Sequence, residues 1–173
     1  MGFASILTER LFAPFASRLA RAGVSPTMQA LLGAVAGFAA AAGVATQHFP
    51  VGLAFLIVSR LVFLVATAEQ SSAARFSAVL AWIALASMPF AFALAEPDRA
   101  IAASFQLFGF LAVAASSYAD EETPWSGPFS VAALIGLIVA CIVPAWFSLE
   151  CYAIGILGFV TCGAIVAGGE RSL

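Results

Sequence analysis

The chain has 173 residues, 63% of them hydrophobic and 9% charged, with a formal net charge of −2. Soluble domains carry about 25% charged residues, and a domain of this length cannot hide so much apolar surface from water. The composition excludes an ordinary water-soluble fold, and the near-zero charge gives nucleic acid nothing to bind.

Residues 1–22 come first. Phe3, Ile6, Leu7, Leu11, Phe12, Phe15 and Leu19 supply an apolar surface interrupted by Glu9, Arg10, Pro14 and Arg18. This pattern predicts a short helix lying in the membrane interface, bent at Pro14, and lacks the uninterrupted core of a cleavable signal peptide. Gly23-Val24-Ser25-Pro26 then leads into the first span, 27–46, with Ser25 or Thr27 as its cap. Gly33 and Gly37 in that span are spaced for close approach of a neighbouring helix. The second span, 49–67, contains one charge, Arg60. The third covers 75–95 and the fourth 100–118. The stretch from Phe129 to Gly168 holds a single charge, Glu150. As one helix it would measure about 60 Å, twice the roughly 30 Å of hydrocarbon, so it must fold back once. Pro144 to Glu150 is the expected break, with Trp146 and Tyr152 at the interface, giving spans 128–145 and 150–168.

The expected fold is therefore an all-α membrane protein. A single domain, 1–173, comprises six transmembrane helices preceded by a short N-terminal interfacial helix. All seven basic residues are arginines. Arg10, Arg18, Arg21, Arg75 and Arg171 fall on one side and Arg99 on the other. That asymmetry predicts cytoplasmic N- and C-termini in a bacterial inner membrane. Cys141, Cys151 and Cys162 form no metal-ligand spacing and read as small buried hydrophobes. His48 reads as a solvated loop residue, and Asp120, Glu121 and Glu122 as a solvated cytoplasmic loop.

The most informative region is Ser59 to Ser87, SRLVFLVATAEQSSAARFSAVLAWIALAS. With the Gly23-Val24-Ser25-Pro26 start and the six-span plan, it resembles the CDP-alcohol phosphatidyltransferase family. That family's signature reads Asp-x2-Asp-Gly-x2-Ala-Arg-x8-Gly-x3-Asp-x3-Asp over its second and third helices. The frame fits without a gap when Phe76-Ser77-Ala78-Val79-Leu80-Ala81 is laid on the family's Phe-Gly-Ala-Val-Leu-Asp. The four aspartate positions then become Arg60, Phe63, Ala81 and Leu85. The glycines become Leu64 and Ser77, and the Ala-Arg pair becomes Thr67-Ala68. None of the fixed residues survives, and Thr27 stands where the family's start has Asn.

In the family, as the resemblance implies, the carboxylates hold divalent cations against the CDP pyrophosphate, and one of them is the base. Hard cations need oxygen ligands, and these positions supply none. The resemblance therefore implies a catalytically degenerate, transferase-like protein that needs no cofactor. It would be a structural or accessory subunit among other membrane subunits, or a homodimer, surrounded by and holding membrane lipids. The alternatives are an active transferase with a divergent site, dependent on Mg²⁺ or Mn²⁺, and a small transporter. Arg60 has two readings. It clamps a lipid phosphate together with Thr67 and Arg75, or it snorkels to the headgroups or pairs with a buried carbonyl.

Overall fold

The computed structural model describes residues 18, 21, 23–68, 73–119 and 126–169. The interfacial helix predicted over 1–22 lies almost wholly outside these residues, as do Glu69 and the acidic run at 120–122. Six α-helices follow in chain order: α1 Pro26–Ala45, α2 Phe49–Ala68, α3 Ala73–Ala95, α4 Ala100–Ala119, α5 Ser126–Ile142 and α6 Phe147–Gly169. No strand occurs among the described residues. Five helices are long and apolar enough to cross a membrane, and α5, with 17 residues, is the shorter sixth. The chain is an all-α integral membrane protein.

Local chemistry sets the ends. Gly23 takes φ +81°, a left-handed turn closed to most side chains. Ser25, not Thr27, caps α1: its Oγ accepts from the Met28 backbone N–H at 3.2 Å, and Pro26 sits where no helical N–H is needed. Between α1 and α2, Gln47 bears the turn at φ 62°, and its Nε2 donates to Ala95 O at 3.3 Å, tying two loops at one end of the bundle.

The last break is sharper than the sequence suggests. Helix α5 ends at Ile142, three residues before its expected end, and α6 starts at Phe147 rather than 150. Val143 is forced out of the helical region by the following proline, and Pro144 opens a 3₁₀ turn, Pro144–Trp146, that runs directly into α6. Glu150 therefore belongs to the first turn of a membrane helix, not to a loop.

Lipid tails are as apolar as leucine, so helices in a membrane are held by packing and hydrogen bonds rather than by exclusion from water. Small residues make the close crossings here. Helix α1 lies against α2 and α3. A Cβ at Gly33 would stand 3.2 Å from the Phe63 ring, and one at Gly43 would meet Gly52 N at 2.9 Å. Helix α4 pairs with α6, where a Cβ at Gly109 would lie 2.9 Å from Gly155 Cα. Ser59 Oγ donates to Gly33 O at 2.7 Å, a buried bond between α2 and α1. Stacked rings fill the middle: Phe92 lies 4.2 Å from Phe147 and 5.7 Å from Phe49. Trp82 stacks on Phe129 at 5.9 Å and meets Phe110 edge-on at 6.1 Å, joining α3, α5 and α4. Outward positions such as Phe38, Ile101, Phe108 and Leu149 stay exposed, as a lipid-facing surface requires.

Candidate functional site: an apolar cavity holding one arginine

Helices α2, α3 and α5 enclose a groove of about 360 Å³. Residues three or four apart on a helix share a face, so Arg60 and Phe63 on α2, and Ala81 and Leu85 on α3, point the same way as pairs. The two helices are joined by the short segment 69–72, and both pairs line this groove. All four positions equated with signature aspartates thus meet in one place. Leu64, at the first glycine position, lines it too.

The other predicted positions are dispersed. Ser77, at the second glycine position, is fully buried off the groove, and its Oγ has no partner among the described residues. The side chains of Thr67, Ala68 and Arg75 lie outside the described residues.

Among the described residues the groove offers no carboxylate. Phe63 and Leu85 are buried, with 3% and 1% of their surface exposed, so both act as packing residues. Ala81 contributes only a methyl group. Arg60 is the single charge. An arginine at the centre of a span costs about 2.5–3.5 kcal/mol on insertion scales unless something compensates it. Its Nη2 donates to Ala81 O at 3.3 Å. Arg60 stands eight residues from the α2 end at Ala68, and Ala81 eight from the α3 start at Ala73, so each is about 12 Å from that end of the bundle. The guanidinium therefore reaches sideways across the gap, level with its own backbone. Of the two structural alternatives weighed for Arg60, this geometry is the carbonyl pair and not snorkelling. The bond is long for an N–H donor, and Nε, also buried, has no partner among the described residues.

A second polar cluster was not legible in advance. Gln106 Nε2 on α4 donates to Glu150 Oε1 on α6 at 2.7 Å, and the Cys151 thiol donates to Gln106 Oε1 at 3.0 Å. All three are buried. Gly136 on α5 makes room for this carboxyl, since a Cβ there would lie 2.7 Å from Glu150 Cγ. The signal was present: a lone acid in a forty-residue apolar stretch must find a donor, and Gln106 is the one amide inside the fourth span. The cysteines are free, with Cys141 and Cys151 buried, and His48 is exposed beside Thr46.

No family model matches this chain, and no similar protein was found among curated sequences or solved structures.

Proposed function

We propose that this chain is a catalytically degenerate relative of the CDP-alcohol phosphatidyltransferases that serves as a structural, lipid-holding subunit of a membrane complex. The observation that carries the reading is the convergence of Arg60, Phe63, Ala81 and Leu85 on one groove. These four positions, on two helices, share a single cavity. That is the geometry a metal and pyrophosphate site needs, but its ligands are absent. Phe63 and Leu85 occupy space with carbon, and Arg60 would repel a divalent cation. Transfer of a phosphatidyl group needs charge on the pyrophosphate to be offset and a base near the acceptor hydroxyl. Among the described residues the groove supplies one guanidinium and no base. In this reading the protein sits in a bacterial inner membrane with both termini in the cytoplasm.

The deciding experiment is incubation of the purified chain with CDP-diacylglycerol, Mg²⁺ or Mn²⁺ and a panel of alcohols, following release of CMP. No release above a protein-free blank is expected. Metal-dependent release that survives stringent purification would restore the active-enzyme alternative.

A further inference from the structure

Arg60 has donors to spare. Its guanidinium carries five N–H donors in a planar fork. One reaches Ala81 O at 3.3 Å, and the buried Nε–H is unused among the described residues. The ion pair among the described residues is elsewhere, between Arg99 and Glu96 at 2.7 Å. The groove in front of Arg60 runs along the helices. Ser130 stands four residues from the start of α5, about 6 Å, and Leu85 twelve from the start of α3, about 18 Å. Its sides open laterally as well: Val131 is 56% exposed and Leu64 37%. A cavity with one cation at its centre, apolar walls and an opening to hydrocarbon is complementary to an amphiphile with an anionic head. It is too small for a helix, whose diameter is about 10–12 Å. It also holds nothing to bind a sugar or a base in place of water.

We propose that this groove seats a glycerophospholipid, with the phosphodiester drawn below the headgroup plane onto Arg60 and the acyl chains running past Leu134 and Leu85 toward the bilayer centre. The proposal rests on the lipid-holding reading above but not on the loss of catalysis. Phosphate oxygens match the fork of the guanidinium in pairs. They would exchange the long bond to Ala81 O for shorter charge-assisted ones and supply an acceptor for Nε–H. The walls then cover the upper part of the chains.

The test uses the full chain in a phosphate-free maltoside detergent, with retained ligands read by native mass spectrometry. The probes are dioleoyl phosphatidylglycerol, dioleoylglycerol and glycerol 3-phosphate. The wild-type chain should retain phosphatidylglycerol and neither of the others. Arg60→Gln should lower its retention by about tenfold, as the loss of a charge-assisted contact implies. Ala81→Leu, which fills the groove and leaves the arginine in place, should lower it as well, and Arg99→Gln should leave it unchanged. Unaltered retention in both Arg60→Gln and Ala81→Leu overturns the proposal. Equal retention of dioleoylglycerol overturns it by removing the phosphate from recognition. Tight binding of glycerol 3-phosphate alone overturns the lipid as source. Release of CMP in the transferase assay would sink the degenerate reading without touching these outcomes.

Discussion

Replacing Gln106 by Leu tests how this bundle is held together where no apolar driving force exists. Gln106 Nε2 donates to Glu150 Oε1, and Gln106 Oε1 accepts from Cys151. Glu150 Oε2 already has no partner among the described residues. The substitution removes two bonds and takes the amide donor away from the carboxyl. Interhelical hydrogen bonds in membranes are worth about 0.6 kcal/mol on average and at most about 1.7. Stranding a buried polar group adds about 1–3 kcal/mol. Gln106→Leu should therefore destabilise the chain by about 2 kcal/mol, or about 4–8 °C in melting temperature for a chain of this size. The double variant Gln106→Leu/Glu150→Met removes donor and acceptor together and should recover most of that loss, because no buried polar group is left behind. The buried thiols of Cys141 and Cys151 provide the assay, reacting with a fluorogenic maleimide only as the bundle opens. Cys162, half-buried, sets the baseline. Two outcomes would refute the reasoning: a Gln106→Leu melting temperature within 1 °C of wild type, or a double variant whose loss is the sum of the two single losses.

Other perturbations follow from the crossings. Gly136→Ala should lower the melting temperature in the wild-type chain by pushing the Glu150 side chain off Gln106, and should cost much less in the Gln106→Leu/Glu150→Met background. Gly109→Val faces backbone atoms of Gly155 at 2.9 Å that cannot rotate aside, so it should cost about 1–3 kcal/mol. Gly163→Ala, with nothing within 4 Å, should be neutral or slightly stabilising in the same assay. Ser59→Ala removes the bond to Gly33 O and should cost about 1 kcal/mol. Single cysteines at Gln47, Asp98 and Ala145 should react with an impermeant maleimide from one side of the membrane, and one at Ser71 from the other. Labelling of all four from one side would refute the six-span path.

The spans were legible because they are set by quantities that sequence carries directly: run length, charge and proline. Five of the six helices begin within two residues of the expected position, and the exception, α6, begins three residues early. There Pro144 to Glu150 is the expected break, with Trp146 and Tyr152 at the interface, on the ground that polar and interfacial residues mark a surface. The structure separates them. The proline alone makes the turn, and Glu150 enters the bundle because Gln106 waits there on a helix forty-four residues away. No periodicity within either segment encodes that meeting. The same holds for Arg60. Its i, i+4, i+7 spacing to Leu64 and Thr67 predicts a common face, yet which helix it would face, and at what depth, depended on how α3 packs beside α2.

The groove itself is the harder feature to explain as mere inheritance. A bundle gains nothing from enclosed space that it does not use. Unfilled volume forfeits dispersion contacts on every wall, and closing it needs only larger side chains at Ala78 or Ala81. Phe63 and Leu85 have already taken two of the four positions, and about 360 Å³ still remains around an arginine with unused donors. In water such a groove would simply be solvated, whereas in a bilayer a lipid chain can fill it, and a lipid that carries a phosphate also meets the guanidinium. Retention of a costly cation and of the room in front of it is coherent only if the two are used together. Arg60→Leu should therefore melt higher than wild type in lipid-free detergent, where the charge is a burden. It should lose that advantage when dioleoyl phosphatidylglycerol is added, because only the wild-type chain gains stability by binding it. A stabilisation of Arg60→Leu that is the same with and without lipid would mean that the groove is an unoccupied relic.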